Sequence, residues 1–279
     1  MKVEIAKHAG YCYGVERALD LTSQAGKSPD KLIYTLGPII HNPQVVNRLE
    51  TNGIHHIDSI DEIDKGTVII RTHGVEPQVV RKAKAKGLKV VDATCPFVKK
   101  AQQCASTLLK EGYDLIIVGE RNHPEVVGLL AYAGLNAIVV ERPEDLAKLP
   151  KEMNKVGVVV QTTQSQENLD AIISGLLATY KQIKVFNTIC SATTKRQSAA
   201  RQLAKKADVM LIVGGKNSAN TTRLTQICLE MNPKSYHIET ASEIKKSWFN
   251  KDDLVGVTAG ASTADWILQE VVDSVCSIK

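Results

Sequence analysis

Val90-Val91-Asp92-Ala93-Thr94-Cys95-Pro96-Phe97-Val98-Lys99-Lys100 is the stretch on which the reading of the fold turns. A β-branched run stops at a cysteine, and a proline follows at once. Beyond it, Phe97, Ala101, Cys104 and Leu108 recur at helical spacing, and the pattern ends at Gly112. This predicts a buried strand, a tight turn and a helix with Pro96 in its first turn. The Cys95 thiol then lies at the carboxyl end of a strand and beside a helix N-terminus, where unpaired N–H groups and the helix dipole favour a thiolate.

The same construction occurs twice more. Lys2-Val3-Glu4-Ile5-Ala6 leads to Cys12 and a helix carrying Val15 and Leu19. Ile183-Lys184-Val185-Phe186-Asn187-Thr188 leads to Cys190 and a helix with Ala199, Ala200 and Leu203. The cysteines are 83 and 95 residues apart, which predicts one unit used three times. Further strands follow each cysteine and reach His41, His123 and Ser218, in steps of 29, 28 and 28 residues. Each unit continues with a short strand and an acidic loop (57–63, 140–146 and 238–244), then with a strand ending at Thr72-His73, Gln161-Thr162-Thr163 or Ala261-Ser262-Thr263.

Alternating strands and helices predict an α/β fold of parallel sheets. The expected architecture is three pseudo-repeated units, 1–94, 95–189 and 190–279, in a three-lobed arrangement around a central cavity. Ligands of such sheets bind beyond the carboxyl ends of the strands, where the three cysteines and six polar turns fall.

Composition narrows the function classes. The chain has 279 residues and a net charge of +5, and its lysines and arginines are scattered rather than blocked. Three Phe, two Trp and seven Tyr leave little for base stacking, which counts against nucleic acid and leaves an anionic small molecule or an acidic protein as partner. The sequence has no signal-peptide core and no stretch of membrane-spanning length, so a cytoplasmic location is expected. Six cysteines without a CxxC pair are not a disulfide framework. Cys104, Cys228 and Cys276 are read as small buried hydrophobes.

Three thiolates from three units make a soft-metal site, either zinc with a fourth ligand or an iron–sulfur cluster with one iron left open. His41, His73 and His123 sit in polar turns, two of them just before a proline-started helix. Helix N-termini bind phosphate through their N–H groups, and histidine, serine and asparagine add donors, which together describe a pocket for a phosphorylated or diphosphorylated ligand. Glu125 reads either as a first-turn acid favoured by the helix dipole or as a proton donor. Lys195-Arg196 and Lys205-Lys206 read as solvated helix faces. Gly214-Gly215-Lys216 lacks P-loop spacing.

The motifs also resemble a family. Tyr11-Cys12-Tyr13-Gly14-Val15, His41-Asn42, Thr72-His73-Gly74-Val75 and Asp92-Ala93-Thr94-Cys95-Pro96 match 4-hydroxy-3-methylbut-2-enyl diphosphate reductases of the non-mevalonate isoprenoid route. So do His123-Pro124-Glu125-Val126, Gln161-Thr162-Thr163, Ala192-Thr193-Thr194-Lys195-Arg196-Gln197, Lys216-Asn217-Ser218 and Val257-Thr258-Ala259-Gly260-Ala261-Ser262, in family order over nearly the whole chain. The resemblance implies that Cys12, Cys95 and Cys190 ligate a [4Fe–4S] cluster whose open iron takes the substrate hydroxyl. It implies that His41, His73, Ser218, Asn220 and Ser262 surround the diphosphate. His123, Glu125 and Thr162 then stand near the hydroxyl, with Glu125 delivering protons. A ferredoxin- or flavodoxin-type protein is implied as electron donor. One departure is Ala219, where many relatives have a second serine. From the residues alone, a zinc hydrolase of a phosphorylated substrate and a non-catalytic iron–sulfur sensor are the alternative readings.

Overall fold

A computed structural model describes residues 1–27, 32–134 and 136–278. In chain order the elements are β1 (Lys2–Ile5), α1 (Tyr13–Gly26), β2 (Ile33–Leu36), α2 (Pro43–Thr51), β3 (Ile54–Ile57), β4 (Thr67–Ile70), α3 (Pro77–Ala85) and β5 (Lys89–Asp92). Then come α4 (Pro96–Lys110), β6 (Asp114–Val118), α5 (Pro124–Ala133), β7 (Ile138–Val140), β8 (Val156–Val160), α6 (Gln166–Thr179) and β9 (Ile183–Phe186). The last are α7 (Ser191–Ala204), β10 (Val209–Val213), α8 (Ala219–Met231), β11 (Ser235–Ile238), β12 (Leu254–Ala259) and α9 (Asp265–Ser277).

The strands form three four-stranded sheets of one design, ordered β5-β4-β2-β3, β9-β8-β6-β7 and β1-β12-β10-β11, with every pairing parallel. The inner strands read as unbroken apolar runs because both faces are covered. In the second sheet, Leu115 and Ile117 of β6 face α4 and α5, while Ile116 and Val118 face Leu169, Ile172 and Leu176 of α6. The two sets alternate because strand side chains have a period of two.

Each cysteine-bearing strand lies at an edge and closes the sheet of the unit before it. β5 leads to Cys95 and β9 to Cys190. No further strand follows β12 among the described residues, so β1, which leads to Cys12, supplies its partner with Val3 opposite Val255 and Ile5 opposite Val257. The expected unit 1–94 therefore does not keep its first strand. Left alone, β12 would be an unpaired edge rich in valine. By contact density the chain forms two compact units, one of Met1–Glu16, Ile40–Asn47 and Ser191–Lys279, the other of Arg17–Ile39 and Arg48–Cys190. The first unit holds the sheet containing β1, and the second holds the other two sheets.

The three acidic loops each hold a short 3₁₀ helix. In each, a carboxylate folds back onto the two N–H groups just before the helix. Glu62 accepts from Asp58 and Ser59, Asp145 from Glu141 and Arg142, and Glu243 from Glu239 and Thr240. The acids recur because each caps a short turn, not because they face a ligand. On the cysteine strand of each sheet, one charged side chain pairs with an opposite charge: Glu4 with Lys206, Asp92 with Lys99, and Lys184 with Glu111. Charges of this kind blunt an exposed edge.

Two helix assignments shift from the expectation. Phe97 is 41% exposed, and the buried stripe of α4 runs through Val98, Ala101, Cys104, Ala105 and Leu108 instead. Arg196 is buried rather than solvated, because it lies on the stripe of α7 that carries Thr193 and Ala200. No helix among the described residues is long and apolar enough to cross a membrane.

Candidate active site

The three cysteines occupy equivalent places. Each stands between its edge strand and the next helix, and each backbone N–H donates to a carbonyl just beyond the neighbouring strand. The pairs are Cys12 to Ala261 (3.3 Å), Cys95 to Thr72 (2.9 Å) and Cys190 to Thr162 (2.9 Å). Cys95 is the N-cap residue of α4, Cys190 directly precedes α7, and Cys12 directly precedes α1. All three are half-buried, and none of the six cysteines is in a disulfide. Cys104 and Cys228 are core residues, and burial pushes the Cys228 thiol up to about 12. Cys276 is exposed, so its expected burial does not hold; it lies in the last turn of α9, on the side away from Val271 and Val275. An anchored, partly accessible thiol at a helix start is the kind of donor that suits a soft metal or an iron–sulfur cluster.

In the first unit, Arg196 Nη2 donates to the carbonyl of Gly10 at 2.7 Å and so pins the loop that presents Cys12. The polar turns at 41, 217–218 and 262 meet in the same unit. His41 Nδ1 donates to the carbonyl of Asn217 at 2.8 Å, and Ser262 Oγ donates to the carbonyl of His41 at 3.0 Å. A carbonyl only accepts, so the proton is on Nδ1 and Nε2 faces outward from that bond. A Cβ at Gly215 would stand 2.7 Å from the His41 carbonyl oxygen, so glycine is what lets these turns close together. Ser218 caps α8, accepting from Thr221 N–H. Asn220, 5% exposed, has both side-chain amide atoms buried with no hydrogen-bond partner among the described residues. Unsatisfied groups of that kind are costly and rare, and at a helix start they suit an oxyanion ligand. Ala219 opens α8 between these two residues.

The second unit brings together His73, His123, Glu125, Thr162 and Cys190. The rings of His73 and His123 pack edge to face with centroids 5.3 Å apart. His123 is the N-cap of α5, and its Nδ1 accepts the N–H of Glu125 at 3.2 Å, which leaves the proton of the neutral ring on Nε2. Glu125 is 1% exposed. Thr162 donates its N–H to one carboxyl oxygen and its hydroxyl to the other, each at 2.7 Å. Burial is the larger influence and raises the carboxyl from 4.5 to about 7, against the two bonds from Thr162, which lower it. Thr162 thus joins the carboxyl on one side to the Cys190 backbone on the other. A helix-start acid held only by the dipole would be exposed and ionised, whereas Glu125 is buried and its anion disfavoured.

Three residues with a part in this arrangement escaped assignment from sequence. Asn217 orients His41, Arg196 anchors the Cys12 loop, and Asn42 caps α2 through Val45 N–H at 3.1 Å. Asn42 had a signal, the Asn-Pro pair before a helical pattern. Asn217 acts through its backbone and had none. His8, His55, His56 and His237 take no part; His56 pairs with Glu50 and His237 bonds the Gly214 carbonyl.

Residues 3–276 match the family described as LytB protein. The chain is 51% identical over 279 residues to 4-hydroxy-3-methylbut-2-enyl diphosphate reductase of Citrifermentans bemidjiense, covering 100% of this chain and 98% of the relative. It is 51% identical over 278 residues to the enzyme of that name in Pelobacter propionicus, covering 100% and 99%. Among solved structures, an (E)-4-hydroxy-3-methyl-but-2-enyl diphosphate reductase matches at TM-score 0.73 and 46% identity over 100% of both chains. The E-1-hydroxy-2-methyl-but-2-enyl-4-diphosphate reductase of Plasmodium falciparum matches at TM-score 0.92 and 30% identity, covering 98% of this chain and 87% of the other.

Proposed function

The chain belongs to the LytB protein family and has its 4-hydroxy-3-methylbut-2-enyl diphosphate reductase activity, and from that premise we propose how its residues divide the work. The substrate takes up two electrons and two protons, loses its hydroxyl as water, and leaves as isopentenyl or dimethylallyl diphosphate. Cys12, Cys95 and Cys190 hold a [4Fe–4S] cluster. When bound, that cluster supplies electrons singly and an iron without a protein ligand. The electrons come from a ferredoxin- or flavodoxin-type protein, and the enzyme works in the cytoplasm. The division at 94/95 and 189/190 belongs to the same proposal, with β1 counted in the third unit.

His41, His73, Ser218, Asn220 and Ser262 receive the diphosphate. With Nδ1 held by the Asn217 carbonyl, Nε2 is the ring atom of His41 that meets the diphosphate. The amide of Asn220 and the first N–H groups of α8 add neutral donors, so the missing hydroxyl at Ala219 leaves a cradle that still binds an anion.

His123, Glu125 and Thr162 serve the hydroxyl end. A hydroxyl leaves readily only once a proton reaches it. The carboxyl of Glu125 can hold one near neutral pH, where an ordinary carboxyl is ionised, because burial disfavours its anion. When Glu125 is protonated, the Thr162 oxygen accepts from it and passes its own hydrogen to the departing oxygen. The Nε2–H of His123 donates to the same oxygen and holds its orientation. Burial of Glu125 keeps that proton from exchanging with bulk water.

The observation that carries this reading is Glu125, a buried carboxyl poised near pH 7 on Thr162, which itself bonds a proposed cluster ligand. The test is anaerobic turnover of 4-hydroxy-3-methylbut-2-enyl diphosphate with a reduced carrier. Formation of both isoprenyl diphosphates is expected. Release of inorganic phosphate without them would favour a hydrolase.

A further inference from the structure

Arg71 directly follows β4, two residues before His73, and nothing in the reaction uses it. Its guanidinium is half-buried and makes no hydrogen bond or ion pair with any described residue; Nε is buried outright. Burial lowers its pKa, while the nearby charge of Asp58 raises it. A desolvated cation without a contact partner is costly to keep. The guanidinium lies directly against Gly37, whose φ of +68° itself favours glycine.

This guanidinium lines a cavity of about 250 Å³ within the second unit. Leu36, Ile60, Val75, Val79 and Val127 give it apolar walls. Two of its other charged side chains have partners. Lys82 Nζ is 2.6 Å from Asp61, and Glu76 accepts from Gln78. Asp58 also lines the cavity and reaches Arg71 only through space. Gly74 and Pro124 complete the wall, and each directly follows one of the paired histidines His73 and His123.

We propose that this cavity binds a small organic oxyanion, a carboxylate or phosphate on a short branched hydrocarbon, with its head on Arg71 and its body against the valines. The volume suits a ligand of about five carbons and its head group. None of the residues assigned to the substrate lines this cavity. A ligand there would lie against the two turns that carry His73 and His123.

The test is calorimetric titration of the full chain with 3-methylbutanoate and, separately, 3-methylbutyl phosphate, which distinguishes the two head groups. Saturable binding of at least one is expected. Arg71→Met should weaken it at least about tenfold, the order of a lost charge-assisted hydrogen bond. Val79→Phe, which fills the cavity and leaves the guanidinium intact, should abolish it, and both variants should keep the wild-type far-ultraviolet circular dichroism. Absence of saturable binding by either probe would overturn the proposal. So would equal binding by wild type and Val79→Phe, or a crystal structure with Asp58 paired directly to Arg71.

Discussion

Glu125→Gln keeps the shape of a buried side chain and removes its acid. In the folded protein the carboxyl stands at about 7 against an ordinary 4.5. The folded state therefore holds the proton more tightly than the unfolded chain. Below pH 4.5 both states are protonated and the group contributes no difference. As pH rises from 4.5 to about 7 the folded state loses stability, and above 7 the whole cost is present. At about 1.4 kcal/mol per pH unit, that cost is ~3 kcal/mol. Glutamine is neutral throughout. Its carbonyl still accepts the Thr162 N–H, and its NH₂ meets the Thr162 oxygen, which turns to accept. The variant should match wild type near pH 4.5 and exceed it at pH 8 by ~3 kcal/mol, on the order of 5–10 °C in melting temperature for a chain of this size. Turnover should fall at least about a hundredfold, the lower end of what general acid catalysis supplies. Thermal melts of both proteins at pH 5 and pH 8, with turnover at pH 7.5, make the measurement. A melting difference that does not change with pH, together with near-normal turnover, would refute the reasoning and return Glu125 to a structural role.

Serine at Cys12, Cys95 or Cys190 should remove most cluster absorbance, whereas serine at Cys104, Cys228 or Cys276 should leave it, as read by visible spectra of anaerobic protein. His41→Asn and Asn220→Ala should each weaken substrate binding about tenfold with the cluster spectrum retained, while Ala219→Ser should be tolerated, as measured by substrate titration. Arg196→Met should slacken the Cys12 loop, seen as faster loss of cluster iron to a chelator with substrate affinity little changed.

Much of this was legible because the repeat sits in short-range chemistry. The junctions at Cys95-Pro96, Asn42-Pro43 and His123-Pro124 announce strand ends and helix starts through proline alone. What was not legible depends on partners far along the chain. The pairing of β1 with β12 joins Lys2 to Leu254, and no local pattern marks it. Arg196 carries a charge, so it reads as solvated until the Gly10 carbonyl is brought to it. The first-turn position of Glu125 is visible in sequence, whereas its burial under Thr162 is not. Phe97 was misplaced by one position, since Val98 meets the same spacing toward Ala101 and Ala105. The acidic loops showed their equivalence in sequence but not their purpose, which is capping.

The most direct measurement is iron-57 Mössbauer spectroscopy of the anaerobic protein before and after adding 4-hydroxy-3-methylbut-2-enyl diphosphate. A cluster held by Cys12, Cys95 and Cys190 leaves a single iron without a cysteine. Substrate should therefore shift one iron subspectrum and leave the rest unchanged, and serine at any of the three cysteines should abolish the shift. A colourless zinc protein, or a cluster whose irons all ignore the substrate, would contradict the assignment.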